Sequence, residues 1–142
     1  MELIKSSHSI GQSVYHFEFC PKYRYKMFRK EKFSTLCEQI LIETAQRHNI
    51  QIVELNVMPE HVHMIVQLPS TMSISRAMML LKGASSHEIF KQVPDFRKRY
   101  HKGHFWSCGK FYRSVGDVDL ETTKQYVKNQ VEIHQLKLNT FV

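Results

Sequence analysis

The feature that most restricts what this chain can fold into is the stretch His61–Leu68. Val62, Met64, Val66 and Leu68 share one parity there, and His61, His63, Ile65 and Gln67 share the other. A period of two belongs to a β-strand, whose successive side chains point to opposite faces. The wholly apolar parity has to be buried, so both histidines are carried to the opposite face of whatever sheet this strand joins.

The neighbouring segments can be placed around that strand. Ser13–Cys20 also alternates, with Tyr15, Phe17 and Phe19 against Val14, His16, Glu18 and Cys20, and Pro21 interrupts it. Glu31–His48 carries a helical stripe of Phe33, Leu36, Cys37, Ile40, Leu41 and Ala45, stopped near Asn49. Ile50–Met58 is rich in Ile and Val and reads as a strand, turned at Pro59-Glu60 into His61–Leu68. Ser73 is placed to cap a helix through Ile74, Ala77, Met78, Leu81, Ala84 and Ser85. Val93–Gly103 is basic and irregular, and His104–Val115 reads as a fourth strand bent at Gly109. Asp119 caps a last helix to about Ile133, with Leu120, Val127 and Val131 as its packing stripe. The order is β-α-β-β-α-β plus a C-terminal helix, an α+β, ferredoxin-like (RRM-like) sheet formed by a single domain over residues 1–142. Two helices cover one face of such a sheet and leave the histidine face open.

Composition narrows the partners. Lys and Arg number 20 against 13 Asp and Glu, a formal charge of +7, which suits an anionic polymer. The longest wholly apolar run, Ala77–Leu81, is too short for a membrane span, and Met1–Ser13 does not read as a signal peptide. Cys20, Cys37 and Cys108 are odd in number and widely spaced, so no disulfide framework is indicated and a reducing cytoplasm is the expected compartment.

Two constellations could carry chemistry. In Pro59-Glu60-His61-Val62-His63 the imidazoles share a face roughly 6.5–7 Å apart along the strand, and two such rings can ligate one metal ion. Two polar residues on a solvated face would give the same spacing. In the last helix Tyr126 and Gln130 are four apart and share a side offset from the Leu120–Val127–Val131 stripe. A phenol is a poor nucleophile at its ordinary pKa of about 10 unless positive charge lies near the reacting oxygens, and a Gln carbonyl suits a hard cation. An ordinary surface pair would look alike.

Taken together, these residues resemble a known family. Pro21-Lys22-Tyr23-Arg24 follows strand one, and Asn56-Val57-Met58-Pro59-Glu60-His61-Val62-His63 surrounds the histidines. Leu81-Lys82-Gly83-Ala84-Ser85-Ser86 lies in the second helix, then come Phe105-Trp106-Ser107 and Tyr126-Val127-Lys128-Asn129-Gln130. In order and spacing this resembles, over nearly its full length, the small single-tyrosine transposases of the His-hydrophobic-His (HUH) class, which move insertion sequences as single-stranded DNA. One departure is Lys110 after Gly109, where the family often carries an aromatic residue.

The resemblance implies a DNA transesterase with Tyr126 as nucleophile and a 5′-phosphotyrosine intermediate. His61, His63 and Gln130 would hold one Mg²⁺ or Mn²⁺. It also implies recognition of subterminal DNA hairpins, and a homodimer in which the tyrosine helix of one subunit completes the histidine site of the other. The short stretch Gly116–Val118 could direct that helix away from its own histidines. Two basic runs are candidates for DNA contact: Lys22, Arg24, Lys26, Arg29, Lys30 and Lys32, then Arg97, Lys98, Arg99 and Lys102. In a ferredoxin-like sheet strands one and three are neighbours, so His16 and Glu18 are expected beside the histidine pair; one of them is a candidate for supporting it, and a structural polar contact is the favoured reading. For Trp106, Phe111 and Tyr112, packing in the core or in a dimer is favoured over base stacking. The rival functions are a non-catalytic RRM-like nucleic-acid-binding module and another HUH-type nickase, the latter typically in a longer chain.

Overall fold

The computed structural model describes residues 4–5, 10–11, 13–115 and 124–129. Two short strands, β1 (Ile4–Lys5) and β2 (Ile10–Gly11), pair antiparallel as a small ribbon that the sequence pattern does not announce. The main sheet holds β3 (Val14–Phe19), β4 (Gln51–Met58), β5 (His61–Gln67) and β6 (Phe111–Ser114). Its spatial order is β4-β5-β3-β6 with every neighbour antiparallel. Helices α1 (Glu31–Arg47) and α2 (Ile74–Gln92) provide the two crossovers, which is the expected ferredoxin-like arrangement.

One face of the sheet makes the main core. Phe17, Phe19, Val62, Met64 and Val66 pack there with Cys37, Ile40 and Leu41 of α1 and Ala77, Met78 and Leu81 of α2. Ser73 does cap α2, its hydroxyl accepting the Arg76 N–H at 3.1 Å. At the far end of α1, Asn49 turns the chain with φ of 58°, and the Ile50 N–H bonds back to the Ala45 carbonyl.

A register shift between Ile52 and Glu54 changes which residues of β4 share a face with the histidines. It puts one extra residue, Val53, into β4, so the parity of the strand changes there. Ile52, Leu55 and Val57 all reach the main core. Asn56 then lies opposite His63, and Glu54 opposite Ile65, on the other face. That second face has a small apolar cluster of its own, formed by Val14, Ile65 and Val115 with Val53 against it.

The expected fourth strand is too long. Only Phe111–Ser114 joins the sheet, and residues 104–110 make just an isolated bridge between Trp106 and Pro21. The reason is that Phe105 and Trp106 are consecutive and both buried in the same core cluster, which strand alternation forbids. Trp106 meets Phe19 edge-on at 4.7 Å and donates its indole N–H to the Ser85 hydroxyl at 2.8 Å. Lys82 donates to the Ser107 carbonyl at 2.7 Å, and burial lowers its pKa. Packing was the favoured reading for all three aromatics, and it holds for Trp106. Phe111 and Tyr112 instead stand half-exposed. Replacing Ser85 by Ala leaves the buried indole N–H without its acceptor. Denaturant unfolding should show a loss of about 1–3 kcal/mol, and an unchanged midpoint would mean that this contact contributes nothing to the fold.

The basic stretch after α2 is held down by its aromatics. A 3₁₀ turn over Pro94–Lys98 lets Phe96 pack on Phe33 at 4.8 Å. Tyr100 is buried and donates its hydroxyl to the Lys22 carbonyl at 2.8 Å. Among the described residues no helix is long and apolar enough to cross a membrane.

Candidate active site

His63 is the centre of the second face. β5 places it between β3 and β4, with Glu18 opposite on one side and Asn56 opposite on the other. It is 2% exposed. His61 lies two residues earlier on the same face, its ring 4.5 Å from that of His63 and nearly perpendicular at 86°. The shared parity required of the two histidines is therefore present.

Each imidazole is held through one ring nitrogen. His61 Nδ1 lies 2.8 Å from Glu60 Oε1. His63 Nδ1 lies 3.2 Å from His16 Nε2, with Glu18 Oε2 further off at 3.7 Å. The His16 and His63 rings stack at 5.4 Å. Burial first, and the Arg113 guanidinium second, push His16 below the ordinary imidazole value. A neutral His16 can accept a hydrogen bond at Nε2 from the Nδ1–H of His63, which leaves Nε2 as the nitrogen through which a neutral His63 would meet a metal. His16 and Glu18 therefore both lie beside His63, as the neighbouring of strands one and three requires. One donor atom each from His16, Glu18 and His63 also lies within 4.8 Å of the others, so this trio is a second donor set sharing His63.

Glu60 and Asn56 are residues that the sequence reasoning passed over. The signal for Glu60 was a carboxylate next to a candidate ligand. For Asn56 it was alternation: Leu55 and Val57 face the main core, so Asn56 falls on the histidine face, and the turn at Pro59-Glu60 sets it opposite His63. Asn56 Nδ2 is buried without a hydrogen-bond partner among the described residues.

Residues 124–129 form a helix, as expected, and Val127 is fully buried. Lys128 Nζ lies 3.9 Å from Glu54 Oε2, which ties the helix to β4. Tyr126 is 52% exposed, yet its ring lies edge-on to His63 with centroids 6.2 Å apart. Within one chain, then, Tyr126 lies against His63. Gly116–Val118, Asp119, Leu120, Gln130 and Val131 lie outside the described residues.

The two basic runs are not at the histidines. Most of them meet around Tyr25 and Tyr100: Lys22, Lys98, Arg99 and Lys102 line one cavity. Lys26, Arg29, Lys30, Lys98 and Arg99 line the next. Arg97 leaves that group and sits over the Phe90 ring at 4.7 Å. Arg24 lines a separate cavity with Glu18, Lys110 and Phe111.

With this geometry in view, the likeness to known proteins becomes decisive. The model of the IS200-like transposase family matches residues 9–130, a span that includes His61, His63 and Tyr126. The chain belongs to the IS200-like transposase family. The transposase for insertion sequence element IS200 of Salmonella typhimurium is 32% identical over 126 residues, covering 89% of this chain and 82% of that protein. The ISDra2 transposase TnpA of Deinococcus radiodurans is 25% identical over 130 residues, 92% of each. A crystal structure from Deinococcus radiodurans R1 superposes with a TM-score of 0.72 at 25% identity, over 89% of this chain and 96% of that one. A REP-associated tyrosine transposase, solved bound to a REP hairpin, shares the fold with a TM-score of 0.64 at 15% identity, over 92% of this chain and 74% of that one. The protein is thus a single-tyrosine, HUH-class transposase in family and in fold.

Proposed function

We propose that this transposase cleaves and rejoins single-stranded DNA at the ends of an insertion sequence through a phosphotyrosine link. The observation that carries this reading is the placement of a half-exposed Tyr126 against the braced His63. The Tyr126 oxygen attacks a phosphodiester, forming a Tyr–O–P bond and breaking the bond to the 3′ oxygen. The phenol loses its proton and the departing 3′ oxygen gains one. A 3′-OH from another end then reverses the exchange. One phosphodiester replaces another in each step, so no nucleotide hydrolysis is needed.

The donor set fits a divalent ion. His61 and His63 would hold Mg²⁺ or Mn²⁺ through Nε2, with Gln130 as the further ligand. Such an ion would polarise the phosphate and stabilise charge developing on it. Glu60 and His16 keep the two rings oriented. Asn56 supplies a buried N–H₂ group opposite His63 that a phosphate oxygen could satisfy. DNA hairpins near the element ends are the proposed recognition target, with the basic runs contacting phosphates. The direct test is covalent trapping of labelled single-stranded DNA with and without Mg²⁺ or Mn²⁺. An adduct that needs the metal supports the transesterase, and binding with no adduct under any condition refutes it in favour of a binding module.

We further propose a homodimer in which the 124–129 helix is exchanged, so that each tyrosine serves the partner's histidines. Mixing Tyr126→Phe with His61→Ala/His63→Ala chains tests this, with differently tagged chains confirming heterodimers. Exchange predicts that cleavage returns towards one competent site per heterodimer. A confirmed heterodimer that stays inactive refutes exchange and favours the pairing of Tyr126 with His63 within one chain.

A further inference from the structure

Tyr23 is an aromatic side chain left 66% exposed on a basic surface. It is the outer rung of a ladder that begins in the core. Tyr100, 3% exposed, stacks on Tyr25 at 5.8 Å and 26°, and Tyr25 meets Tyr23 at 5.5 Å. Cations accompany the rungs, with the Arg99 guanidinium 5.3 Å from the Tyr25 ring and Lys22 Nζ 5.4 Å from the Tyr23 ring. The base of the ladder is fastened by the Tyr100 hydroxyl on the Lys22 carbonyl and by the Lys22 N–H on the Phe105 carbonyl, both at 2.8 Å.

The backbone at the outer rung is unusual. Tyr23 and Arg24 both lie in the left-handed region, with φ of 64° and 53°. Side chains with a Cβ rarely adopt it, and it persists only where the surroundings hold it, most often at functional positions. Here it sends two consecutive side chains into different cavities. Tyr23 lines one with Lys22, Lys98, Lys102 and His104. Arg24 lines the other with Glu18, Lys110 and Phe111, and that same Glu18 lies 3.7 Å from His63. The turn therefore divides a path that starts at the histidines from one that ends on the aromatic ladder.

We propose that Tyr23 is a stacking platform for an unpaired base of single-stranded DNA, on a strand that runs from the histidine site past Arg24. The inference rests on the transesterase reading and adds a recognition residue to it. The chemistry favours a nucleotide strand over an acidic peptide, because a peptide would match the cations and leave the ring in water. It favours a single strand because paired bases hide their faces in the stack. Phosphates between Arg24, Lys22 and Lys102 with one base on Tyr23 satisfy ring and charges together.

The test uses Tyr126→Phe protein, to keep cleavage out of the measurement, and short single strands carrying a fluorescent adenine analogue at successive positions. Stacking on Tyr23 predicts quenching at one position. Tyr23→Ala should relieve that quenching and weaken binding by about 5- to 150-fold, while Tyr23→Phe keeps both. Tyr23→Gly separates the ring from the backbone: it accepts positive φ without strain, yet should bind as poorly as the Ala variant. Ala and Gly variants that bind within twofold of the parent, or quenching that survives them, would overturn the platform. If Tyr126-intact protein still forms the adduct in that case, the transesterase reading stands. If the parent has no affinity for single strands at all, both fall together.

Discussion

Tyr126→Phe protein forms no covalent adduct with single-stranded DNA, while its affinity for that DNA stays near that of the parent. This is the expected result with the largest effect, because the substitution removes only the attacking oxygen. Loss of a nucleophile from a preorganised site lowers the rate by about 10⁴-fold or more, which takes the adduct below detection in a gel assay. The ring stays, and since Tyr126 is half-exposed on a helix anchored by Val127, folding should be unaffected. Thermal unfolding would confirm that. An adduct that persists would move the nucleophile elsewhere, and Tyr112 is then the first alternative: it is 48% exposed in β6, opposite Phe17. Tyr100 is a weaker one, because it is buried in the core with its hydroxyl bonded to Lys22.

The second large effect concerns the histidines. His61→Ala should remove cleavage and lower divalent-metal affinity by at least the 10- to 100-fold typical even of an outer partner. His63→Ala should do the same, with some loss of stability because it empties a buried position. Metal affinity is read by calorimetry and cleavage by adduct formation. Binding of DNA without metal should change little in either variant. It should fall with salt instead, with a log–log slope of roughly −0.7 per phosphate contact. The two donor sets separate here. If the ion sits on His61 and His63, His61→Ala abolishes its binding and Glu18→Gln weakens it only modestly. If it sits on His16, Glu18 and His63, the order reverses. Full cleavage by the parent protein in EDTA would remove the metal from the mechanism altogether.

Much of the fold was legible because each main segment buries one face. The strict alternation in β5 and β3 determined that the histidines and His16 share the face away from the helices. The stripes of α1 and α2 and the order of elements then led to the antiparallel sheet with β3 beside β5. The pattern failed where burial is two-sided or local. Phe105 and Trp106 look like strand residues, but both enter the core side by side, so the fourth strand is shorter than its aromatic content suggests. The shift at Val53 is likewise invisible: Val53, Leu55 and Val57 share one parity and all are apolar, so nothing in the residue types shows that Val53 leaves the main core.

Alternation and spacing by themselves determined which residues share a face: His61 with His63, and His16 with Glu18. That information is local, since one or two residues of chain set the direction of a side chain. Tertiary structure alone decided what those residues touch. The brace of His16 on His63 crosses 47 residues of sequence, and the tie from Tyr100 to Lys22 that gathers two basic runs into one surface crosses 78. Contacts of that range depend on how whole elements pack, to within a fraction of an ångström. So does the stance of Tyr126 beside His63, on a helix whose Val127 is buried and whose Lys128 reaches Glu54 of β4.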